Sequence, residues 1–213
     1  FDEIVNKFDS QDYHFKELIV LMESEDSQFA DIQKKIVNRP EIILERATEE
    51  EVLGSLFNRG VQCSNGEYIA KWDDDDLYGP NYLSDSILPF SYSDAGVVGK
   101  FESFMYHEGT DATYLRFSGN RTRYGDLVIG PTIVCRRRLL NEIPFPELSV
   151  GEDTEFLSRV TNAGYSIYAS DPYNFVYMRS TNLAEHTWKA KDEELLNNAV
   201  KVCDGMSTDD IFV

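Results

Sequence analysis

Tyr68–Leu83, YIAKWDDDDLYGPNYL, is the stretch on which the reading of the chain turns. Tyr68, Ile69 and Ala70 are good β-formers and predict the end of a buried strand closing at Trp72. Asp73, Asp74, Asp75 and Asp76 follow without a break, and Leu77-Tyr78-Gly79-Pro80 then turns the chain. Four adjacent carboxylates repel one another, and no cationic residue lies within the run. Such a cluster at a strand end inside a fold is costly unless a cation sits against it. Mg²⁺ and Mn²⁺ are hard cations that take oxygen ligands and link carboxylates to phosphates, so they suit the site. A plainer reading is a solvated acidic turn in an acidic protein. A calcium loop fits less well. Asp74, Asp76 and Gly79 take its first, third and sixth places, but Tyr78 occupies a ligand position and no glutamate closes the loop.

The whole chain has 213 residues, a formal net charge of −18 and 42% hydrophobic residues. That length supports one sizeable core, and that hydrophobic content excludes a disordered acidic polymer. The acidity argues against a nucleic-acid partner, whose binders carry a basic footprint. It also means that a diphosphate meeting the aspartates needs a metal between them. No apolar run approaches the ~20 residues of a membrane span, so no transmembrane segment is expected. Cys63, Cys135 and Cys203 lie far apart with no CxxC pair, a usage suited to a reducing cytoplasm.

Upstream, Phe1–Phe8 has helical spacing, Lys16–Met22 is a short apolar run read as a strand, and Ser27–Ile36 reads as a helix. Glu41–Leu44 reads as a further strand. Thr48-Glu-Glu-Glu51 has the form of a capping box before a helix running to about Gln62. With the Tyr68 strand and a helix over Pro80–Leu88, this βαβαβ alternation predicts a mostly parallel sheet flanked by helices. Ligands of such sheets bind beyond the carboxyl ends of the strands, where the aspartates lie. The second half predicts a mixed or antiparallel meander through Gly96–Lys100, Phe101–Tyr106, Ala112–Phe117 and Leu127–Cys135, with turns at Gly119-Asn120 and Tyr124-Gly125. Arg136–Glu142 and Thr154–Ala163 read as helices, Ser166–Ala169 and Asn174–Met178 as strands, and Asp192–Val202 as a closing amphipathic helix.

The aspartate stretch resembles the metal-binding DXD segment of GT-A glycosyltransferases, in particular the large inverting family two. Asn58-Arg-Gly60, Asn65-Gly-Glu-Tyr68, Gly151-Glu-Asp-Thr-Glu155 and Arg179…His186-Thr-Trp188 match in the same order, so the resemblance runs from about Phe1 to Trp188. It implies a GT-A-like, Rossmann-like α/β fold in a single domain over residues 1–213. Residues 1–92 would form the nucleotide-sugar half, 93–190 the acceptor half, and 191–213 a C-terminal helix and tail. It also implies that the chain begins inside the family's first helix, without the first strand and its base-holding loop.

The implied activity is metal-dependent, inverting transfer of a sugar from a nucleotide-sugar donor, UDP-linked, to a hydroxyl of a glycan-type or other acceptor. Asp73 and Asp75 would be the DXD pair holding Mn²⁺ or Mg²⁺, with Asp76 the flanking acid and His186 completing the metal site. Asp73, Asp74, Asn58, Arg179 and Lys189 would meet the nucleotide and its diphosphate, and Trp188 would be a sugar-stacking lid or simply core. Asp153 would be the base and Glu152 its orienting neighbour, although acids opening a helix are also explained by its dipole alone. Arg116, Arg121, Arg123 and Arg136–Arg138, if they share a face, would dock an anionic acceptor or a membrane surface. Two other functions stay open: a GT-A-like module that binds glycans or a partner without turnover, and a metal-dependent nucleotidyltransferase. The latter usually shows a Gly-rich basic phosphate loop near its start, and this chain has none.

Overall fold

Short apolar strands separated by amphipathic helices build the first half, close to where their periodicity predicts them. The computed structural model describes residues 1–23, 25–181 and 192–213. α1 (Asp2–Asp9), β1 (Leu18–Met22), α2 (Asp26–Lys35), β2 (Ile42–Arg46), α3 (Leu53–Cys63) and β3 (Tyr68–Ala70) come first. Past the aspartates come β4 (Leu77–Tyr78), α4 (Tyr82–Ile87), β5 (Val97–Gly99), β6 (Ser103–His107), β7 (Ala112–Arg116), β8 (Arg123–Gly125) and β9 (Val134–Arg136). α5 (Arg137–Glu142), α6 (Glu152–Asn162), β10 (Ile167–Ala169), β11 (Phe175–Arg179), α7 (Asp192–Leu196) and β12 (Ala199–Asp204) complete the described chain.

The architecture is α/β, with mixed sheet flanked by helices. β1 and β2 pair in parallel, with Leu18 opposite Ile42, and α2 is the crossover that a parallel pair requires. The other strands form two sheets ordered β3-β9-β5-β10-β8 and β12-β7-β6-β11-β4. Only β5/β10 and β6/β11 in these are parallel, so parallel pairing is less extensive than the alternation predicts. The reason lies at β3, which pairs antiparallel with β9 and not with β1. β1 and β3 each leave one edge without a partner among the described strands, and both line one cavity of about 2070 Å³.

Three further expectations are corrected. Thr48 and Glu51 do make the capping-box hydrogen bond (Thr48 N to Glu51 Oε2, 2.9 Å), but it closes a turn and α3 starts at Leu53. Tyr124-Gly125 is not a turn but part of β8, antiparallel to β10. Asp192–Val202 is helical only to Leu196; Ala199–Asp204 instead adds an edge strand antiparallel to β7.

The main core lies between α5, α6 and the β9-β5-β10 strands, where Val97, Cys135, Leu139, Phe156, Leu157 and Ile167 pack together. Burying Phe156, Leu157 and Val160 of α6 contributes roughly 1.5–3 kcal/mol each. That anchors the helix firmly enough for its first turn to carry enclosed acids. A second, aromatic cluster sits under the aspartates: Trp72 stacks on Tyr78 at 4.3 Å, and Tyr82 meets Tyr78 edge-on at 4.8 Å.

Candidate functional site

The aspartates leave β3 over this aromatic floor. The Tyr78 hydroxyl accepts from Asp73 N at 2.9 Å and donates to Pro131 O at 3.1 Å, which fixes the chain where the acids begin. One carboxylate oxygen from each of Asp73, Asp75 and Asp76 lies within 4.8 Å of the others. Asp76 is the enclosed member, 1% exposed. Its Oδ1 accepts from Met178 N at 2.8 Å, and its buried Oδ2 has no hydrogen-bond partner. Burial, with repulsion from Asp73 and Asp75, pushes the Asp76 carboxyl well above the usual carboxylate range against the opposing pull of the Met178 amide. Three hard oxygen donors around an orphaned buried oxygen fit Mg²⁺ or Mn²⁺. Asp74 stands outside this trio; its carbonyl, like that of Asp76, accepts from Lys7 Nζ, at 2.6 and 2.7 Å.

Across the same cavity, α6 opens at Gly151, whose positive φ of 80° turns the chain so that Glu152 and Asp153 form its first turn. Lys71, at the end of the β3 run, joins the two acid groups. Its Nζ lies 3.1 Å from Asp73 Oδ1 and 3.2 Å from Asp153 Oδ2, and 4.7 Å from the centre of the Phe57 ring. Burial alone would lower the Lys71 pKa, but Asp73 and Asp153 hold it above the ordinary lysine value. Burial raises the Asp153 carboxyl, and Lys71 only partly offsets this. Glu152 is raised by burial and then by Asp153. Asp153 Oδ1 is buried without a hydrogen-bond partner.

The place Asp153 occupies exists because residue 130 has no side chain. A Cβ on Gly130 would lie 1.8 Å from Asp153 Oδ2. Gly130→Ala is therefore expected to push Asp153 off Lys71 while leaving the aspartate trio in place. A structure of the variant checks this: Asp153 Oδ2 should leave Lys71 Nζ while the oxygens of Asp73, Asp75 and Asp76 stay together.

Residues 2–146 match the sequence model of glycosyl transferase family 2. The chain belongs to that family. Membership supports sugar-transfer chemistry in general. No curated protein sequence matches the chain. Among solved structures, it resembles S. aureus TarS 1–349 in complex with UDP-GlcNAc, with 20% identity, a TM-score of 0.66, and 91% of this chain and 58% of that one covered. The UDP complex of TarS 1–349 aligns at 21% identity and TM-score 0.62, over 84% of this chain and 56% of that one. The mannosyltransferase PcManGT from Pyrobaculum calidifontis, in complex with GDP-Man and Mn²⁺, aligns at 17% identity and TM-score 0.62, covering 84% and 52%. These likenesses establish the fold, and the chain spans a little over half the length of these three structures.

Within this family 2 chain, the segments singled out in the sequence do not all reach the cavity. Arg179 does; it ends β11 opposite His107, is 1% exposed, and its Nε lies 3.6 Å from Asp192 Oδ1. Asn58 does not line the cavity. Its amide Nδ2 donates to Phe145 O and its Oδ1 accepts from Phe145 N, both at 2.9 Å, so both ends clamp α3 to the chain after α5. Asn65 does line the cavity, and its Nδ2 donates to Glu17 Oε2 at 3.2 Å. His186, Trp188 and Lys189 lie outside the described residues. The arginines do not share one face: Arg121 pairs with Glu102, Arg136 with Glu67 beneath Tyr68 and Phe90, and Arg116 is buried. Sequence reading missed Lys71, the cation that the aspartates lacked, and the role of Tyr78. Lys71 carried a faint signal, a lone charge at the end of an apolar strand.

Proposed function

We propose that the protein is a metal-dependent, inverting glycosyltransferase that moves a sugar from a UDP-linked donor to a hydroxyl of a glycan-type or other acceptor. The observation that carries this reading is that Asp73 and Asp75, with Asp76 enclosed behind them, share one cavity with Asp153, and that Lys71 bridges Asp73 to Asp153. Asp73, Asp75 and Asp76, with His186, would hold Mn²⁺ or Mg²⁺. When bound, the ion supplies positive charge to the departing diphosphate. Asp153 takes the proton of the acceptor hydroxyl, and Glu152 beside it orients the acceptor. A single displacement needs only this one carboxylate base and inverts the anomeric centre. Arg179, as a guanidinium fork, and Lys189, as a point charge, meet the diphosphate, and Asp74 borders it. The complexes of TarS with UDP and UDP-GlcNAc, and of PcManGT with GDP-Man and Mn²⁺, support a nucleotide-sugar donor. A cytoplasmic setting belongs to the same proposal and is supported by three free cysteines.

Titration with UDP, with and without Mn²⁺, followed by assay of UDP release from UDP-sugars, tests the proposal. Absence of Mn²⁺-dependent UDP binding rejects it; binding without turnover leaves only a binding module. Asp75→Ala is expected to abolish the Mn²⁺-dependent part of UDP binding, because a diphosphate would then face carboxylates without full compensation. Unchanged UDP affinity with unchanged metal dependence in that variant would remove Asp75 from the metal site.

A further inference from the structure

One buried side chain of the cavity wall has no part in the reaction above. Arg116 ends β7, is 5% exposed and lines the cavity. Its Nε is buried without a hydrogen-bond partner, and its guanidinium forms no ion pair with any described residue. That is unexpected in a chain with 38 acidic residues against 20 basic ones, where a carboxylate partner is easily found. Arg121 has Glu102 and Arg179 has Asp192 at 3.6 Å each, and Arg59 has Glu51 at 3.3 Å. A buried guanidinium left unpaired is expensive unless an anion arrives to meet it.

The register shows what surrounds it. Arg116 stands opposite Ser103 on β6, and Met105 and His107, two and four residues on, stand opposite Tyr177 and Arg179 of β11. Because successive side chains alternate, Arg116, Ser103, Tyr177 and Arg179 share one face of this sheet. Ser103 Oγ is also buried and without a partner. The Arg116 guanidinium sits 4.7 Å from the centre of the Phe117 ring, which fixes its plane. We infer that Arg116 anchors a phosphate-binding locus in the cavity wall, which takes a phosphoryl group carried by one of the two reactants. A fixed guanidinium fork matches a tetrahedral oxyanion in bidentate fashion, and Tyr177 and Arg179 line the cavity from the same face. Burial and the neighbouring Arg179 charge both lower the Arg116 pKa, and an anion relieves both. The inference deepens the glycosyltransferase reading and in part rests on it. The phosphoryl group belongs either to the donor diphosphate or to a phosphorylated acceptor.

The test uses wild type, Arg116→Met and Arg116→Lys, with inorganic phosphate and UDP as probes in melting and titration experiments. In phosphate-free, metal-free buffer, Arg116→Met should melt at or above wild type, since it removes an unpaired buried charge. Inorganic phosphate should raise the melting temperature of wild type, of Arg116→Lys partly, and of Arg116→Met not at all. A loss of UDP affinity of roughly tenfold or more in Arg116→Met with Mn²⁺ assigns the locus to the donor diphosphate. Unchanged UDP affinity with a lost phosphate response assigns it to the acceptor. Equal responses to both probes in wild type and Arg116→Met overturn the inference, as does an Arg116→Met that fails to fold or melts well below wild type without phosphate. If no UDP binds to wild type under any condition, the glycosyltransferase reading fails, and the inorganic phosphate comparison still decides this one.

Discussion

Asp153→Asn is expected to lower turnover by roughly 10²–10⁴-fold, about 3–5 kcal/mol of barrier, while donor affinity stays within a few-fold. Asparagine keeps the size of the side chain and can still place an oxygen against Lys71, which lies 3.2 Å from Asp153 Oδ2. What it lacks is a site for the acceptor's proton. An interaction made only in the transition state shows itself in this way, with rate lost and binding retained. The alternative is that Asp153 is a helix-start acid worth ~0.3–1 kcal/mol of stability. On that view the variant would melt slightly lower and turn over normally per folded molecule. The pH profile separates the two again. Burial raises the Asp153 carboxyl, and a base works only when ionised. Wild-type turnover should therefore fall on the acid side at a pH above the ordinary carboxylate range, and the residual rate of Asp153→Asn should lack that limb. A folded variant with near-normal turnover would remove Asp153 as the base.

Legibility in the sequence follows the range of the interaction that decides each feature. Leu18–Met22 and Ile42–Arg46 were readable as strands because a short apolar run between turn signals is a local pattern. The antiparallel pairing of Tyr68 with Arg136 was not, because its partner lies 68 residues away and nothing near Tyr68 names it. At the end of the chain, Asp192-Glu-Glu-Leu-Leu196 is helical, but Ala199-Val-Lys-Val202 alternates with the period of a strand, and β7 offers the edge that captures it. The site divides in the same way. Asp73, Asp75 and Asp76 are adjacent, so their crowding could be read directly. Lys71 reaches Asp153 across 82 positions, and Asn58 is satisfied by Phe145 across 87, contacts that only the tertiary fold makes. The burial of Arg116, in contrast to the exposed Arg121 and Arg123, is equally invisible in composition.

Asp76→Asn should stabilise the metal-free protein and remove most of its response to metal, two opposite effects from one atom. Asp76 Oδ1 accepts from Met178 N, a bond an asparagine oxygen keeps, while Oδ2 is buried without a hydrogen-bond partner. Burial, with the charges of Asp73 and Asp75, opposes ionisation of this carboxyl. The folded pKa therefore lies above the unfolded one. Stability from the protonated form is complete below the ordinary carboxylate pKa and is lost as pH rises through the raised folded value. Metal-free wild type should thus melt progressively lower from mildly acidic towards neutral pH, and Asp76→Asn should show a flatter profile. Near neutral pH the variant should gain at least about 1 kcal/mol, roughly 2–4 °C in a domain of this size. With Mn²⁺ the order reverses. Saturating an intact site at ~100 times its dissociation constant adds about 2.7 kcal/mol to wild type, whereas the variant, with a neutral amide in place of the enclosed carboxylate, gains little. Melting curves over pH with chelator and with Mn²⁺ decide the matter. If Asp76 were instead an ordinary buried acid held only by its Met178 hydrogen bond, Asp76→Asn would melt the same with and without chelator, and Mn²⁺ would stabilise both proteins equally.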